Sequence, residues 1–456
     1  MTSTQTERHP SGAALKKAQR INVGLIGFGT VGTGVAKVLK ENAQLIKDRL
    51  GCELILKRVA DKDIVRDRGV KLDDGVLTTD AADVINDPDI SIVIELVGGT
   101  GIAKTFIMDA LDKGKHVVTA NKALLSTHGK EIFGHAADKA LDIGFEASVG
   151  GGIPVIRALR EGLSANRIES VYGIINGTAN YILSKMTNDG GKFEDVLRRA
   201  QEKGYAEADP SYDVDGIDTA HKLAILINLA YGTYINLSDI YTEGISSISQ
   251  HDIKFAKEFG YRIKLLAITK AIDGEIEARV HPTMIPAAHP LATVEGVYNA
   301  IHLRGNAVGS VMLYGLGAGM MPTASAVVSD LMDIARNLKK NISNRLTPLA
   351  FTEDAVRDVK IRRIDSLEIP YYIRFLAIDK PGALSKISGV LGAHNISISS
   401  VIQKDRKIGG AVPLVILTHN ASEKSLRAAV DEIQKMDIIH DKIVYIRIEE
   451  NLGAAN

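Results

Sequence analysis

Two hydrophobic periodicities alternate along the first third of the chain. Ile21-Asn22-Val23-Gly24-Leu25-Ile26 is a short, nearly continuous apolar run, the pattern of a strand covered on both faces. A glycine turn follows it, and then a helical pattern from Val31 to about Asp48. Glu53 to Ala60, Ser91 to Val97 and His116 to Thr119 are further β-rich runs, with helical stretches such as Ala103 to Lys113 between them. Strands alternating with helices predict a parallel sheet with right-handed crossovers. This first domain is placed at about 20–146, behind a polar tail at 1–19.

The texture changes near Gly150. Pro154 to Gly162 reads as a helix with proline in its first turn, and Ile168 to Ile175 as a strand. Helices are expected at Phe193 to Lys203 and Ile217 to Tyr231, and antiparallel strands at Leu265 to Thr269 and Glu277 to Val280. A helix from Thr323 to Lys340, capped by Thr or Ser, is expected to return to the first domain. These elements make an α+β second domain at 147–350, and 351–369 reads as a charged linker. Residues 370–450 follow the order strand (Tyr371 to Ile378), helix (Gly382 to His394), strand (Ile396 to Gln403), strand (Val412 to Thr418), helix (Ser422 to Lys435), strand (Ile443 to Ile448). That βαββαβ order is ferredoxin-like.

Composition adds exclusions. The 456 residues suit about three domains at roughly 150 residues each. Lys+Arg and Asp+Glu balance at 55 each, so neither nucleic acid nor a membrane surface is expected as main partner. A single cysteine, Cys52, forbids an intrachain disulfide and a thiolate zinc site. No apolar run approaches the ~20 residues that span a bilayer, and the opening residues lack the apolar core of a secretory signal. A cytoplasmic enzyme is the expectation.

The turn Gly27-Phe28-Gly29-Thr30-Val31-Gly32 stands between a strand and a helix, the context in which G-x-G-x-x-G binds a dinucleotide. Gly27 permits the tight turn, Gly29 lets backbone approach a pyrophosphate, and Gly32 lets helix pack on strand. Asp61, at the end of the second strand, is placed to read a ribose 2′-hydroxyl. Lys57, Arg58, Lys62, Arg66 and Arg68 cluster beside it and would suit a 2′-phosphate, so NAD and NADP both stay open.

Further blocks follow in order: Ala120-Asn121-Lys122-Ala123-Leu124-Leu125, Phe145-Glu146-Ala147-Ser148-Val149-Gly150-Gly151-Gly152-Ile153-Pro154, and Asn176-Gly177-Thr178-Ala179-Asn180-Tyr181-Ile182. Then come Gly204-Tyr205-Ala206-Glu207-Ala208-Asp209-Pro210, Asp218-Thr219-Ala220-His221-Lys222-Leu223, and Gly317-Ala318-Gly319 with Pro322-Thr323-Ala324-Ser325-Ala326. With the glycine turn, these blocks resemble homoserine dehydrogenases over roughly residues 20–345. Ile378-Asp379-Lys380-Pro381-Gly382-Ala383-Leu384 and Asn395-Ile396-Ser397-Ile398 resemble an ACT domain, as in the monofunctional form of the family. The resemblance implies reversible reduction of aspartate 4-semialdehyde to homoserine by NAD(P)H. It implies Lys222 as proton donor, Lys122 as a second catalytic lysine beside the cofactor, and Glu207 and Asp218 as substrate-binding carboxylates. Phe28, Thr30, Val31, Gly204 and Gly319 match cofactor contacts. Glu146, Val149, Gly151 and Ile153 match a structural Na⁺ or K⁺ site of one carboxylate and backbone carbonyls. The ACT likeness implies an amino-acid effector, threonine, at Asp379, Gly382, Asn395 and Ile396, and a homodimer or homotetramer.

The residues support this chemistry independently. Hydride transfer to an aldehyde leaves charge on oxygen, which a proton donor must neutralise. Asp218 and Lys222, four apart, share one helix face, and the apolar run Leu223-Ala224-Ile225-Leu226 argues that the helix is buried. Burial would pull the Lys222 pKa down. Lys122 follows a buried strand at its C-terminal end, where doubly wound sheets bind ligands. The acidic run Glu207, Asp209, Asp213, Asp215, Asp218 reads three ways: solvated loop, divalent-metal site, or partner for a substrate ammonium, with Asp213 as a structural support. The glycines after Glu146 suit either a carbonyl-lined cation loop or an interdomain hinge. His116 and His221 receive no role. In the last domain the helix opened by Gly382 is expected to face the Asn395-Ile396-Ser397 turn and to offer N–H groups to a carboxylate. A phosphorylating semialdehyde dehydrogenase would need a nucleophilic cysteine, and Cys52 lies far from any catalytic turn. The other reading is a non-catalytic NAD(P)- and amino-acid-sensing regulator, which leaves the Asp218/Lys222 pair unexplained.

Overall fold

Strand β1 (Gln19–Ile26) is apolar along most of its length because helices cover both faces of its sheet. A computed structural model describes residues 19–404 and 410–453. β1 lies beside β2 (Cys52–Ala60), and β3 (Leu77–Thr78), β4 (Ile90–Glu95), β5 (His116–Thr119) and β6 (Ile143–Gly144) complete an all-parallel sheet of order β3-β2-β1-β4-β5-β6. The order reverses between β1 and β4, which opens a crevice at their C-terminal ends. The expected helix Val31 to Asp48 is two helices, Thr30–Glu41 and Ala43–Leu50, divided at Asn42.

The second domain carries β7 (Ile168–Ile174), β8 (Tyr241–Thr242), β9 (Tyr261–Ile272), β10 (Glu275–Pro286), β11 (Tyr298–Gly305) and β12 (Gly309–Leu316). β9 and β10 run to 12 residues each, well beyond the expected cores, because twelve consecutive pairs close an antiparallel hairpin from Tyr261/Pro286 to Ile272/Glu275. Pro154 to Gly162 is not one regular helix. Val155–Arg157 makes a single turn that widens into π geometry over Ala158–Gly162. The late helix starts at Met320, not Thr323, and its N-cap is Gly319, with no side-chain cap. It runs to Lys339 and buries Ala324, Val327, Val328, Leu331 and Ile334 in one core with Val23, Leu25 and Val35 of the first domain. The fit is close: a Cβ on Gly34 would stand 2.7 Å from the Met320 carbonyl oxygen.

The last domain has β13 (Glu368–Ile369), β14 (Tyr371–Ile378), β15 (Ile398–Ile402), β16 (Ala411–Thr418), β17 (Ala421–Ser422) and β18 (Val444–Ile448). With helices Ala383–Ala393 and Glu423–Gln434 it realises the expected βαββαβ order. Its sheet is not separate. β18 pairs in parallel with β10 through Thr283/Arg447 and Met284/Ile448, giving one sheet of order β12-β11-β7-β9-β10-β18-β14-β16-β15 across both domains. Charge closes the seam. Arg279 is held by Glu277 and Glu449, and Arg447 by Glu423 and by Glu243 at 2.8 Å. Asp252, fully buried, caps helix Gln250–Glu258 with Ser249 and accepts from Tyr372 (3.0 Å) and Arg374 (2.6 Å) on β14.

Candidate functional site

The C-terminal end of β5 leads into helix Lys122–Asp138, which packs on helix Ile217–Tyr231 of the second domain, and there Lys122, Asp218 and Lys222 meet. At the glycine turn, Gly27 sits at φ 100°, and a Cβ there would lie 2.7 Å from the Leu96 carbonyl. Around Gly29 the space is open, while a Cβ on Gly32 would strike the Gly27 oxygen at 2.2 Å. Helix Thr30–Glu41 has no side-chain cap, so its first N–H groups remain for an anion. These features fit a dinucleotide pyrophosphate. Asp61 follows β2 directly and sits beside the glycine turn. Its carboxylate accepts from Phe28 N (2.6 Å) and Asp63 N (2.9 Å) and pairs with Arg68 (3.2 Å), whose guanidinium lies 4.9 Å from the Phe28 ring centroid. Lys57 leaves the basic cluster to pair with Asp87 and Asp89.

Thr119 ends β5, and Asn121 caps helix Lys122–Asp138 by accepting from Leu124 N, so Lys122 opens that helix. Its ammonium lies 3.1 Å from Asp218 Oδ1. The other oxygen, Oδ2, accepts from Lys222 Nζ (2.7 Å) and from Asn176 Nδ2 (2.9 Å). Lys222 Nζ also donates to the Ile175 carbonyl at 2.8 Å. Asp218 therefore joins two lysines from two domains. The Lys222 side chain is 11% exposed and the Lys122 side chain 33%, so Lys122 is the one open to the cleft.

Burial lowers the Lys222 pKa from the ordinary lysine value, and the like charge of Lys122 adds to the drop despite Asp218. Burial acts the same way on Lys122, but Asp218 outweighs it and holds that ammonium charged. For Asp218, burial alone would favour the acid, yet the two lysines and Asn176 keep its pKa at about 2. The cluster is thus one ionised carboxylate, one firmly charged lysine and one buried lysine made more acidic.

Asn176 was quoted in a motif but assigned no role. It caps helix Gly177–Asp189 through Ala179 N, and its amide spans Asp213 (2.7 Å) and Asp218. Asp213 is thereby a support for the cluster. His221 shares a 2.5 Å hydrogen bond with Ser126 on the Lys122 helix and so links the two lysine-bearing helices. Tyr212, also missed, places its ring 5.8 Å from Lys122 Nζ and 5.7 Å from the His221 ring. No local periodicity could reveal these contacts, which join segments distant in sequence.

The remaining expected residues fall in four places. Gly204 and Glu207 lie exposed on a loop tied down by the hydroxyl of Thr178, two residues from Asn176; that Oγ1 donates to Tyr205 O at 2.6 Å. Gly319 begins the helix that packs on Gly34, beside the glycine turn. Glu146 is buried, but its carboxylate accepts from Ile156 N (2.9 Å) and Arg157 N (2.8 Å) and caps that short helix. Among the described residues no cluster of three or more His, Cys, Asp or Glu side chains could hold a metal ion. Gly382 (φ 86°) opens helix Ala383–Ala393, whereas Asn395 (φ 59°) and Ile396 lie just beyond its other end. An 11-residue helix is roughly 16 Å long, so these four residues do not converge within one chain, contrary to expectation. Asp379 instead lies near Gln403, at the end of β15. Cys52 is buried at the start of β2, as a non-catalytic thiol would be. No helix of the described residues is long and apolar enough to cross a membrane.

Comparison with known proteins agrees with this arrangement. Residues 27–146 match the homoserine dehydrogenase NAD-binding domain, 154–332 the homoserine dehydrogenase domain and 371–437 the ACT domain. A homoserine dehydrogenase of Neisseria gonorrhoeae is 46% identical over 429 residues, covering 94% of this chain and 98% of that protein. The crystal structure of a homoserine dehydrogenase from Thiobacillus denitrificans has a TM-score of 0.89 at 46% identity, covering 95% of this chain and 99% of that one. A hyperthermophilic archaeal homoserine dehydrogenase in complex with NADPH has a TM-score of 0.59 at 29% identity, covering 70% of this chain and 98% of that one. The two carboxylate-linked lysines thus stand on a nucleotide-binding, catalytic and ACT framework matched over nearly its whole length, and the chain belongs to the homoserine dehydrogenase family of oxidoreductases.

Proposed function

We propose that the chain reduces L-aspartate 4-semialdehyde reversibly to L-homoserine, a step in threonine, methionine and isoleucine biosynthesis, in the cytoplasm. The observation that carries this reading is the Lys122–Asp218–Lys222 cluster at the mouth of the dinucleotide crevice. The bound nicotinamide, of NADP or NAD, supplies or takes the hydride. The chain's own groups manage charge. Lys222, the more acidic lysine, holds the proton that the developing alkoxide receives. Lys122 stays charged and stabilises that oxygen, with Asp218 aiming both ammonium groups. Glu207 and Asp218 supply negative charge for the substrate's α-ammonium. With Asp61 already committed to Phe28 and Arg68, the exposed Lys62 and Arg66 favour a 2′-phosphate and hence NADP. Glu146, with the backbone carbonyls of Val149, Gly151 and Ile153, supplies the proposed cation ligands, and removal of Na⁺ and K⁺ tests them through thermal stability.

Threonine is the proposed effector, acting at the ACT domain of a homodimer or homotetramer. Two ends of the ACT helix can share one ligand only when a second copy supplies one of them, which favours an oligomeric site. A spectrophotometric assay with NADPH and NADH, with and without threonine, tests the whole reading. Turnover with aspartate semialdehyde is expected; none with either cofactor would leave the NAD(P)- and amino-acid-sensing regulator.

A further inference from the structure

β4 ends in Glu95, which is fully buried although it carries a carboxylate. Among the described residues it forms no salt bridge; all of its recorded partners are uncharged. Oε1 accepts from Val97 N (2.7 Å) and Gly98 N (3.1 Å), and Oε2 accepts from the Thr119 hydroxyl (2.8 Å). Burying such a group is costly unless its hydrogen bonds are satisfied, and an apolar side chain would fill the same space without that cost. The donors are informative because they come from the loop that follows β4 and from the last residue of β5.

The chain of bonds continues. Thr119 Oγ1 accepts from Asn121 N (3.1 Å), Asn121 Nδ2 donates to the Gly99 carbonyl (2.7 Å), and Asn121 Oδ1 accepts from Leu124 N (3.1 Å). These contacts close a ring, Glu95–Thr119–Asn121–Gly99, that returns to the loop Glu95 already holds. On one side the loop abuts Gly27, where a Cβ would meet Leu96 and Val97 backbone atoms within 2.9 Å. On the other, Asn121 caps the helix whose first residue is Lys122.

We propose that Glu95, with Thr119, is a positioning residue for hydride transfer: the Glu95–Thr119–Asn121 clasp fixes Lys122 and the Val97–Gly99 loop relative to the glycine turn. The inference rests on the proposed reduction for its kinetic consequence. A carboxyl group whose two oxygens together accept three hydrogen bonds ties the ends of both strands to one rigid side chain. Only small displacements are at stake, because a misplacement of about 1 Å at the reacting centre can lower turnover about 100-fold.

The test compares full-length Thr119→Val, Thr119→Ser and Glu95→Gln with the parent. Thr119→Val removes the hydroxyl while nearly keeping shape, and Thr119→Ser restores it. Two readouts are taken: amide hydrogen exchange of segments 96–101 and 120–125 without cofactor, and kcat with KM for the aldehyde alongside the Kd for NADP. Thr119→Val should exchange faster in both segments and lose about tenfold or more in kcat, with NADP Kd within about threefold and Thr119→Ser near the parent. Parent-like exchange in a folded Thr119→Val protein would overturn the clasp. So would kcat within about twofold of the parent, or a loss that serine does not restore. Should Glu95→Gln fail to fold, the Thr119 pair decides alone. An inactive parent would refute the proposed reduction, and the exchange data would still judge the clasp.

Discussion

At the scale of single residues, Lys222 carries the sharpest expectation. Burial lowers its pKa, so the proton it donates in aldehyde reduction is lost at lower pH than from a free lysine, near 10.5. Reduction should therefore fall as pH rises through that lowered value, and homoserine oxidation should rise across the same interval. Lys222→Arg keeps the charge but cannot release the proton in this range, so it should remove the limb and cut turnover by about 100-fold or more. Full pH profiles of kcat/KM in both directions check this; near-normal turnover in the variant would refute the role. The pair itself was legible, because Asp218 and Lys222 are four residues apart in an apolar helix. The third member, Lys122, was legible by resemblance and by its place after a buried strand, but not as a partner of Asp218. Nothing local to Lys122 says that its ammonium reaches a carboxylate 96 positions later, and the bridging amide of Asn176 is equally silent in one dimension.

At the scale of elements, the helix Met320–Lys339 shows how a late segment completes an early domain. Asp330 on this helix accepts from Glu146 N at 2.8 Å and packs against Gly144, where a Cβ would stand 2.6 Å from the Asp330 Cβ. Burial, reinforced by Glu146, raises the Asp330 pKa to about 7. The folded value exceeds the unfolded one, so this group's contribution is full below about pH 4 and is lost as pH rises through about 7. Asp330→Asn keeps shape and the acceptor for Glu146 N without the charge. It should raise the melting temperature by about 2–4 °C or more at about pH 8 and have little effect at about pH 4. A variant less stable at both pH values would show that the pairing with Arg157 (3.5 Å) dominates. Element types were largely readable from periodicity. Boundaries were displaced where glycine replaced a side-chain cap, as at Gly319, and where Asn42 divided a continuous helical pattern.

At the scale of the whole molecule, β18 makes the ACT domain a continuation of the second domain's sheet. Arg447 on β18 reaches Glu243, Ile245 N bonds the Val214 carbonyl, and the neighbouring Asp213 meets Asn176 and hence Asp218. On the proposed threonine regulation, Glu243→Gln should raise the half-inhibitory threonine concentration by about fivefold or more while uninhibited kcat stays within about twofold. Unchanged inhibition would exclude this route. Deleting residues beyond about 365 is a poorer test, since it strips Glu449 from the fully buried Arg279 and uncovers the edge of β10. The sequence by itself determined the parallel dinucleotide domain, the βαββαβ tail and the buried Asp218/Lys222 pair, because each follows from spacing along one local segment. Tertiary structure alone decided which side chains converge. It committed Asp61 to Phe28 and Arg68, turned Glu146 onto a helix N-terminus, separated Gly382 from Asn395, and joined two domains through Lys122, Asp218 and β18. Hydrogen bonds and charge pairs act over a few ångströms of space, whereas periodicity records only neighbours along the chain.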